Sequence, residues 1–152
     1  MKKTFLPLRR LSLLVITALS LTAVSCSDDD SNAINNPGAN APDVDFTALT
    51  TGNKIAYYNA RNLSAPTSTL DITGLQPSET ILSIDYRPAT GQLYALGSTS
   101  RLYFINEQSG LATALGAAAF TPAIASQNAS IDFNPTVDRI RLVTDSGQNL
   151  RL

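Results

Sequence analysis

The stretch IDYRPATGQLYAL at residues 84–96 returns 47 residues later as IDFNPTVDRIRLV at residues 131–143. Both copies place an aspartate and an aromatic residue before a proline, and both then continue into mostly apolar sequence. A repeat of roughly 40 to 50 residues built from short strands is typical of a β-propeller or a related stacked-sheet array. The repeat therefore predicts an all-β fold, a partial β-propeller-like array.

One full repeat divides into four segments that are rich in β-branched, aromatic and leucine residues. Turns rich in Gly, Pro, Ser and Thr separate them, as between hairpin strands. These four predicted strands span residues 81–87, 92–97, 101–106 and 111–116. Four short strands in succession predict one four-stranded antiparallel blade per repeat.

The number of repeats is small for a closed ring. Residues 46–152, the predicted repeat domain, hold little more than two repeats, whereas closed propellers have about four blades or more. We therefore expect two and a fraction blades, an array that is incomplete as given. It either continues in a longer protein or is completed by copies that associate through an exposed strand edge.

The first 25 residues predict export. Four basic residues precede an apolar run at residues 11–24, which is shorter than the roughly 20 residues of a membrane-spanning helix. The run ends at Ala23, Val24 and Ser25, directly before Cys26, the only cysteine. This pattern resembles a bacterial lipoprotein signal, with cleavage between Ser25 and Cys26 and a lipid on Cys26. The alternatives are an ordinary secretory peptide and an uncleaved signal anchor.

Residues 26–45 predict a disordered acidic tether, because they contain almost no large apolar side chain. The chain is then expected at the cell envelope as an outer membrane lipoprotein. The acidic triplet at residues 28–30 resembles the surface-export signal of Bacteroidetes-type lipoproteins. The alternative is a solvated charge run that avoids retention in the inner membrane.

The charge of the repeat domain excludes some partners. Residues 46–152 carry seven acidic and seven basic side chains, without a basic run. Phosphate contacts supply most of the affinity for nucleic acid, so nucleic acid is not an expected partner. The expected link to the membrane is the N-terminal lipid alone.

The composition also restricts the chemistry. The chain has no histidine, and lipidation of Cys26 leaves no thiol, which excludes Ser-His-Asp and Cys-His catalysis. No cofactor and no metal site are expected. Asp85 and Asp132 occupy the same place in successive repeats, and two carboxylates can act as general acid and base in glycan cleavage. The alternative is a structural role, in which each carboxylate accepts backbone N–H bonds or pairs with an arginine.

Arginines form a second group of candidates. Arg139 and Arg141 alternate along one predicted strand and so face the same side. With Arg101 and Arg151 they predict either a surface for acidic sugars and carboxylates or a solvated outer face. Four tyrosines are candidate sugar-stacking platforms or core residues between blades: Tyr57, Tyr58, Tyr94 and Tyr103.

Several stretches carry a family resemblance. GLQPSETI at residues 74–81, IDYRPATGQLYALG at residues 84–97, FNPTVDRIR at residues 133–141 and DSGQNLRL at residues 145–152 resemble the bacterial family catalogued as domain of unknown function 4394. The resemblance implies an exported protein with propeller-like repeats whose domain continues past residue 152. It implies no activity, because the family has no established one.

Two functions of different classes follow from the sequence. The first is a non-catalytic binding or structural module, lipid-anchored at the cell envelope, that binds a protein, peptide or glycan. The second is a glycan-cleaving hydrolase or lyase that uses Asp with Arg or Tyr residues and has part of its site in further blades.

Overall fold

The structure, a computed structural model, describes residues 41–152, and in this range it contains strands and no helix. In chain order the strands are β1 (Asp45–Thr50), β2 (Lys54–Asn59), β3 (Ser68–Asp71), β4 (Ile81–Arg87), β5 (Gln92–Gly97), β6 (Arg101–Ile105), β7 (Ala112–Ala114), β8 (Ala129–Asn134), β9 (Arg139–Thr144) and β10 (Asn149–Arg151). The predicted all-β fold is confirmed.

The ten strands form three antiparallel sheets. The first sheet has the order β1-β2-β3, the second β4-β5-β6-β7 and the third β10-β9-β8. The second sheet has the four strands that the repeat predicts, and its last two strands are shorter than predicted. In the described part of the chain, the first and third sheets have three strands each. The strands β4, β5 and β6 correspond to β8, β9 and β10, one repeat later.

Glycine allows the tight connection between β4 and β5. Gly91 has φ 69°, a left-handed conformation that side chains other than glycine adopt rarely. Its N–H donates to Arg87 O at 2.8 Å and closes the turn. The predicted Pro-Ala-Thr-Gly turn thus brings β5 back along β4.

The core lies in two layers, one on each side of the second sheet. Alternation along β5 directs Leu93 towards the first sheet and Leu96 towards the third. Burial on both faces explains why the period-2 pattern is weak in the sequence. The layer between the first and second sheets contains Ile55, Ile72, Ile81, Leu93, Ala95, Tyr103, Ile105 and Ala112. The layer between the second and third contains Leu96, Ile131, Phe133, Ile140 and Leu142.

The two interfaces between sheets use equivalent positions. The hydroxyls of Thr47 and Tyr86, one from the first sheet and one from the second, lie 2.8 Å apart. One repeat later, Tyr94 packs edge-to-face on Phe133, with ring centroids 5.0 Å apart. The same pair of positions thus joins the first sheet to the second and the second to the third.

An ion pair also fixes the second interface. Arg87, at the end of β4, donates through two nitrogens to both carboxylate oxygens of Asp138 in the turn between β8 and β9. Hydrogen bonding to Arg87 holds the pKa of Asp138 below its ordinary value. The guanidinium therefore ties the second sheet to the corner of the third.

The described structure begins slightly before the predicted domain. β1 starts at Asp45, one residue ahead of the predicted start, and Arg61 Nη1 lies 2.9 Å from Asp43 Oδ2. The predicted signal at 1–25, its cleavage site at Ser25 and Cys26, and the tether up to residue 40 lie outside the described residues. None of the described residues forms a helix long and apolar enough to cross a membrane.

Candidate functional site

Asp85 joins two sheets. It lies on β4, and its Oδ2 accepts the backbone N–H of Phe133 on β8 at 2.7 Å. Two residues earlier on the same strand, Ser83 Oγ accepts the N–H of Ile131 at 3.1 Å. These two side chains accept the backbone N–H groups along the edge of β8 that does not pair with β9. The Asp85 carboxylate is thus engaged in holding the third sheet against the second.

Asp132 has different surroundings, although it stands one repeat after Asp85. Its neighbours Ile131 and Phe133 face the second sheet, so alternation turns Asp132 to the opposite, exposed face of the third sheet. Across the strand pair it lies opposite Arg141. Within residues 41–152, Asp132 makes no hydrogen bond through its side chain. The structure therefore does not bring Asp85 and Asp132 into one cleft.

A basic cleft lies on the exposed face of the third sheet. Arg139 and Arg141 project from β9 on the same face, and Arg151 lies opposite Arg141 on β10. The cleft measures about 450 Å³ and is lined by Asp132, Asn134, Pro135, Val137, Arg139, Ile140, Arg141 and Arg151. Three arginines against one aspartate leave it with a formal charge of about +2. Asn149 positions one of them, since its Oδ1 accepts from Arg141 Nη1 at 2.6 Å.

Arg101 does not belong to this cleft. It begins β6 in the second sheet, and its Nη1 is 3.4 Å from Ala117 O. The sequence grouped four arginines, and the structure brings three of them together. The fourth differs because position 101 aligns with Gln148, outside the β9 and β10 pair that carries the others.

The three arginines of the cleft stand at positions where the second sheet has uncharged residues. In the second sheet the positions one repeat before the three arginines are Gln92, Tyr94 and Phe104. Of these, Tyr94 packs against the third sheet. The third sheet therefore presents Arg141 at the position where the second sheet packs Tyr94 against its neighbour.

A polar cluster that sequence reasoning missed lies between the first and second sheets. Tyr86 donates a short hydrogen bond to Glu107 Oε1, and Tyr57 OH lies 3.3 Å from the same oxygen. Burial, with Glu107 as the next cause, raises the pKa of Tyr57 to about 12, and burial also raises the pKa of Tyr86. Both phenols remain neutral donors at physiological pH, so neither is an activated nucleophile. Tyr57 and Glu107 are 50 residues apart in sequence, so no local sequence motif predicts this cluster.

The four candidate tyrosines pack rather than form one aromatic platform. Tyr103 is fully buried in the first core layer, and Tyr58 stacks on Phe46 with ring centroids 5.6 Å apart. Tyr57 lies in the polar cluster and Tyr94 against Phe133. In residues 41–152 no group of three acidic side chains comes together in a way that could hold a metal ion.

The two equivalent aspartates give a matched test of the Asp85 hydrogen bond. We expect Asp85→Ala to lower the free energy of unfolding by about 1 to 2 kcal/mol, because the N–H of Phe133 loses its partner. Asp132→Ala is expected to change it by less than about 0.5 kcal/mol, because that side chain is exposed. Urea unfolding of both variants measures the difference. Equal losses would show that the Phe133 bond does not stabilise the interface.

Comparison with known proteins identifies the domain. Neither the curated proteins nor the solved structures contain a significant match to the chain. The family model described as domain of unknown function (DUF4394) matches residues 54–152, from β2 to the last described residue. Because this match covers more than half of the sequence, the chain belongs to the DUF4394 family.

Proposed function

We propose that this chain is a lipid-anchored protein of the cell envelope whose repeat domain binds an anionic partner without catalysing a reaction. The basic run, the apolar run and Cys26 support export and lipidation at the outer membrane. The three stacked antiparallel sheets support a propeller-like array, in which each sheet is one blade. The structural role of Asp85 supports a module rather than an enzyme.

The basic cleft carries the binding part of the proposal. Arg139, Arg141 and Arg151 stand on one exposed face, at positions where the second sheet has Gln, Tyr and Phe. A planar guanidinium binds carboxylates through two parallel hydrogen bonds, which an ammonium group cannot do. The partner class that fits best is a polymer with repeated carboxylates, such as an acidic polysaccharide.

Binding to polygalacturonate, with neutral dextran as the comparison, tests this proposal. We expect Arg141→Tyr combined with Arg151→Phe to weaken binding of polygalacturonate at least ten-fold, because two guanidinium contacts are lost. These substitutions introduce the residues that the second sheet carries at the equivalent positions. Arg101→Gln removes one charge away from the cleft and should leave affinity within about two-fold.

The outcomes separate a specific cleft from general attraction. If Arg101→Gln costs half as much binding free energy as the double variant, which removes twice the charge, the cleft is contradicted, since only total charge then matters. Dextran binding as tight as polygalacturonate binding would contradict the anionic partner. Near-ultraviolet circular dichroism of each variant verifies that the sheets remain packed.

One observation favours the second function, a glycan-cleaving hydrolase or lyase. The Asp132 carboxylate lines the same cleft as the three arginines, so a general base and carboxylate-binding groups share one surface. In the same assay, release of reducing ends that Asp132→Asn abolishes would establish this function and overturn the module.

A further inference from the structure

The first sheet has an open edge at β1. In residues 41–152 β1 pairs with β2 only, whereas its counterpart β5 lies between β4 and β6. Val44 O accepts the N–H of Ala60, so the carbonyl of Val44 points towards β2. Backbone groups alternate along an antiparallel strand, and those of Thr47 and Leu49 therefore point to the open edge. Unpaired groups of this kind are a template for another strand.

We call the first strand of each repeat, β4 or β8, an inner strand, and the third sheet shows how such a strand is held. One edge of β8 pairs with β9. At its other edge the N–H groups of Ile131 and Phe133 donate to Ser83 Oγ and Asp85 Oδ2 of the preceding inner strand, β4. An inner strand is thus fixed by backbone pairing on one side and by Ser-x-Asp side chains on the other.

The equivalent donors of β4 lack such acceptors. Ile84 and Tyr86 stand one repeat before Ile131 and Phe133. No acceptor for their N–H groups at this edge is found among the described residues. The side-chain hydroxyls of Thr47 and Tyr86 lie 2.8 Å apart, so β1 and β4 approach each other here. Within residues 41–152, one strand position between β1 and β4 therefore borders two sets of N–H groups that have no acceptor.

The sequence of the inner strands indicates what fits this position. Ser83-Ile84-Asp85-Tyr86 recurs as Ser130-Ile131-Asp132-Phe133. Each copy supplies the Ser-x-Asp pair on an inner strand, and in β4 this pair caps the following sheet. Residues 34–40, one repeat before β4, read INNPGAN, which contains Pro-Gly and no Ser-x-Asp. The fitting sequence is thus found in the repeats and not in this segment.

We propose that the open edge of β1 binds an extended strand of the sequence Ser-Ile-Asp-aromatic, which completes the first sheet as a fourth, inner strand. The backbone of this strand pairs with Thr47 and Leu49. Its serine and aspartate accept the N–H groups of Ile84 and Tyr86, as Ser83 and Asp85 do for β8. The proposal is independent of the basic cleft, which lies on the third sheet.

A synthetic peptide tests the proposal with the full chain. The probe is ILSIDYR, the sequence of β4, and the control peptide is ILAIAYR, which lacks both acceptors. We expect ILSIDYR to slow hydrogen exchange at Thr47, Leu49, Ile84 and Tyr86. The control should bind roughly ten-fold more weakly, because the two hydrogen bonds from the N–H groups of Ile84 and Tyr86 are lost. Equal affinity of the two peptides would overturn the proposal.

Two substitutions at one position locate the binding. Thr47→Pro removes an edge N–H and is expected to reduce binding of ILSIDYR at least ten-fold, since proline blocks strand addition. Thr47→Val keeps the N–H and should bind the peptide within about two-fold of the wild-type chain. Unchanged exchange at the core residues of β5 and β6 verifies that both variants are folded. Unchanged peptide binding by Thr47→Pro would overturn the proposal.

Hydrogen exchange of the chain without peptide tests whether the edge of β1 is already covered. Slow exchange at Thr47 and Leu49 without peptide, at every protein concentration, would show that a segment of the same chain covers the edge. Slow exchange that disappears on dilution would show that a second copy covers it. Either result would overturn the proposed occupant, since residues 34–40 lack the Ser-x-Asp pair and Ser83 and Asp85 of a folded copy already cap its own β8.

Discussion

Glu79→Ala is expected to lower the free energy of unfolding by about 3 kcal/mol, measured by urea denaturation. The Glu79 side chain is buried and accepts four hydrogen bonds in the layer between the first and second sheets. The donors are Thr99 N at 2.7 Å, Thr99 Oγ1, Tyr103 OH at 2.9 Å and, more weakly, Ser98 Oγ at 3.5 Å. Tyr103 is fully buried, so alanine at position 79 leaves its phenol in the core without this acceptor.

The glycine opposite explains why the carboxylate fits. A side chain on Gly97 would collide with the Glu79 carboxylate and approach the Tyr103 ring. Gly97 therefore leaves the space that Glu79 occupies, and this space would be a cavity in Glu79→Ala. The cavity adds to the cost of the lost hydrogen bonds.

Glu107→Ala provides the matched control for Glu79→Ala. Glu107 also accepts from tyrosine hydroxyls, but its partner Tyr86 is exposed, so water replaces the lost acceptor. We expect this variant to lose less than about 1 kcal/mol. If Glu79→Ala costs no more than Glu107→Ala, the buried carboxylate does not stabilise the core.

The repeat predicts the strands well because the same local pattern of apolar and turn residues occurs twice in the sequence. The segments at Ile81–Arg87 and Gln92–Gly97 match the observed β4 and β5 residue for residue. Later in the repeat the prediction is too long, and β7 spans only Ala112–Ala114. Residue 115 still donates its N–H to Leu102 O, but 116 is a glycine with φ 119°, and the strand ends there.

The burial of Glu79 and its hydrogen bonds could not be predicted from the sequence, for a physical reason. The position one repeat later is Ser126, so no recurrence marks Glu79. Its partners lie about 20 residues away on the next hairpin, and only the packing of that hairpin brings them together. A burial pattern in sequence predicts apolar core residues and gives no signal for a buried acid.

The candidate site shows the same limit. Asp85 and Asp132 are indistinguishable as sequence, yet one caps a neighbouring strand and the other faces solvent. The difference comes from the neighbouring sheet, which Asp85 has and Asp132 lacks among the described residues. By contrast, alternation along one strand is a local property, and it placed Arg139 and Arg141 on one face as predicted.

The largest expected change in location follows from Cys26→Ala. If the proposed lipid is attached at Cys26, this substitution moves the protein from the membrane fraction to the soluble fraction. Each acyl CH₂ group buried in the bilayer contributes about 0.8 kcal/mol, so loss of whole acyl chains shifts the partition by many orders of magnitude. Fractionation with immunoblotting measures the shift, and incorporation of labelled palmitate should be lost in parallel. Ser27→Ala, one residue further on, is the matched control and should retain both membrane location and label.

The alternatives for the first 25 residues predict different results. An uncleaved signal anchor would keep Cys26→Ala in the membrane fraction, because the apolar run at residues 11–24 would hold it there without lipid. An ordinary secretory peptide would leave the unsubstituted chain soluble and unlabelled. Only a lipidated Cys26 combines label in the unsubstituted chain, label in Ser27→Ala and release of Cys26→Ala. Because the repeat domain has no polybasic run and its basic cleft carries a formal charge of only about +2, we expect no second electrostatic attachment to anionic lipid to mask this release.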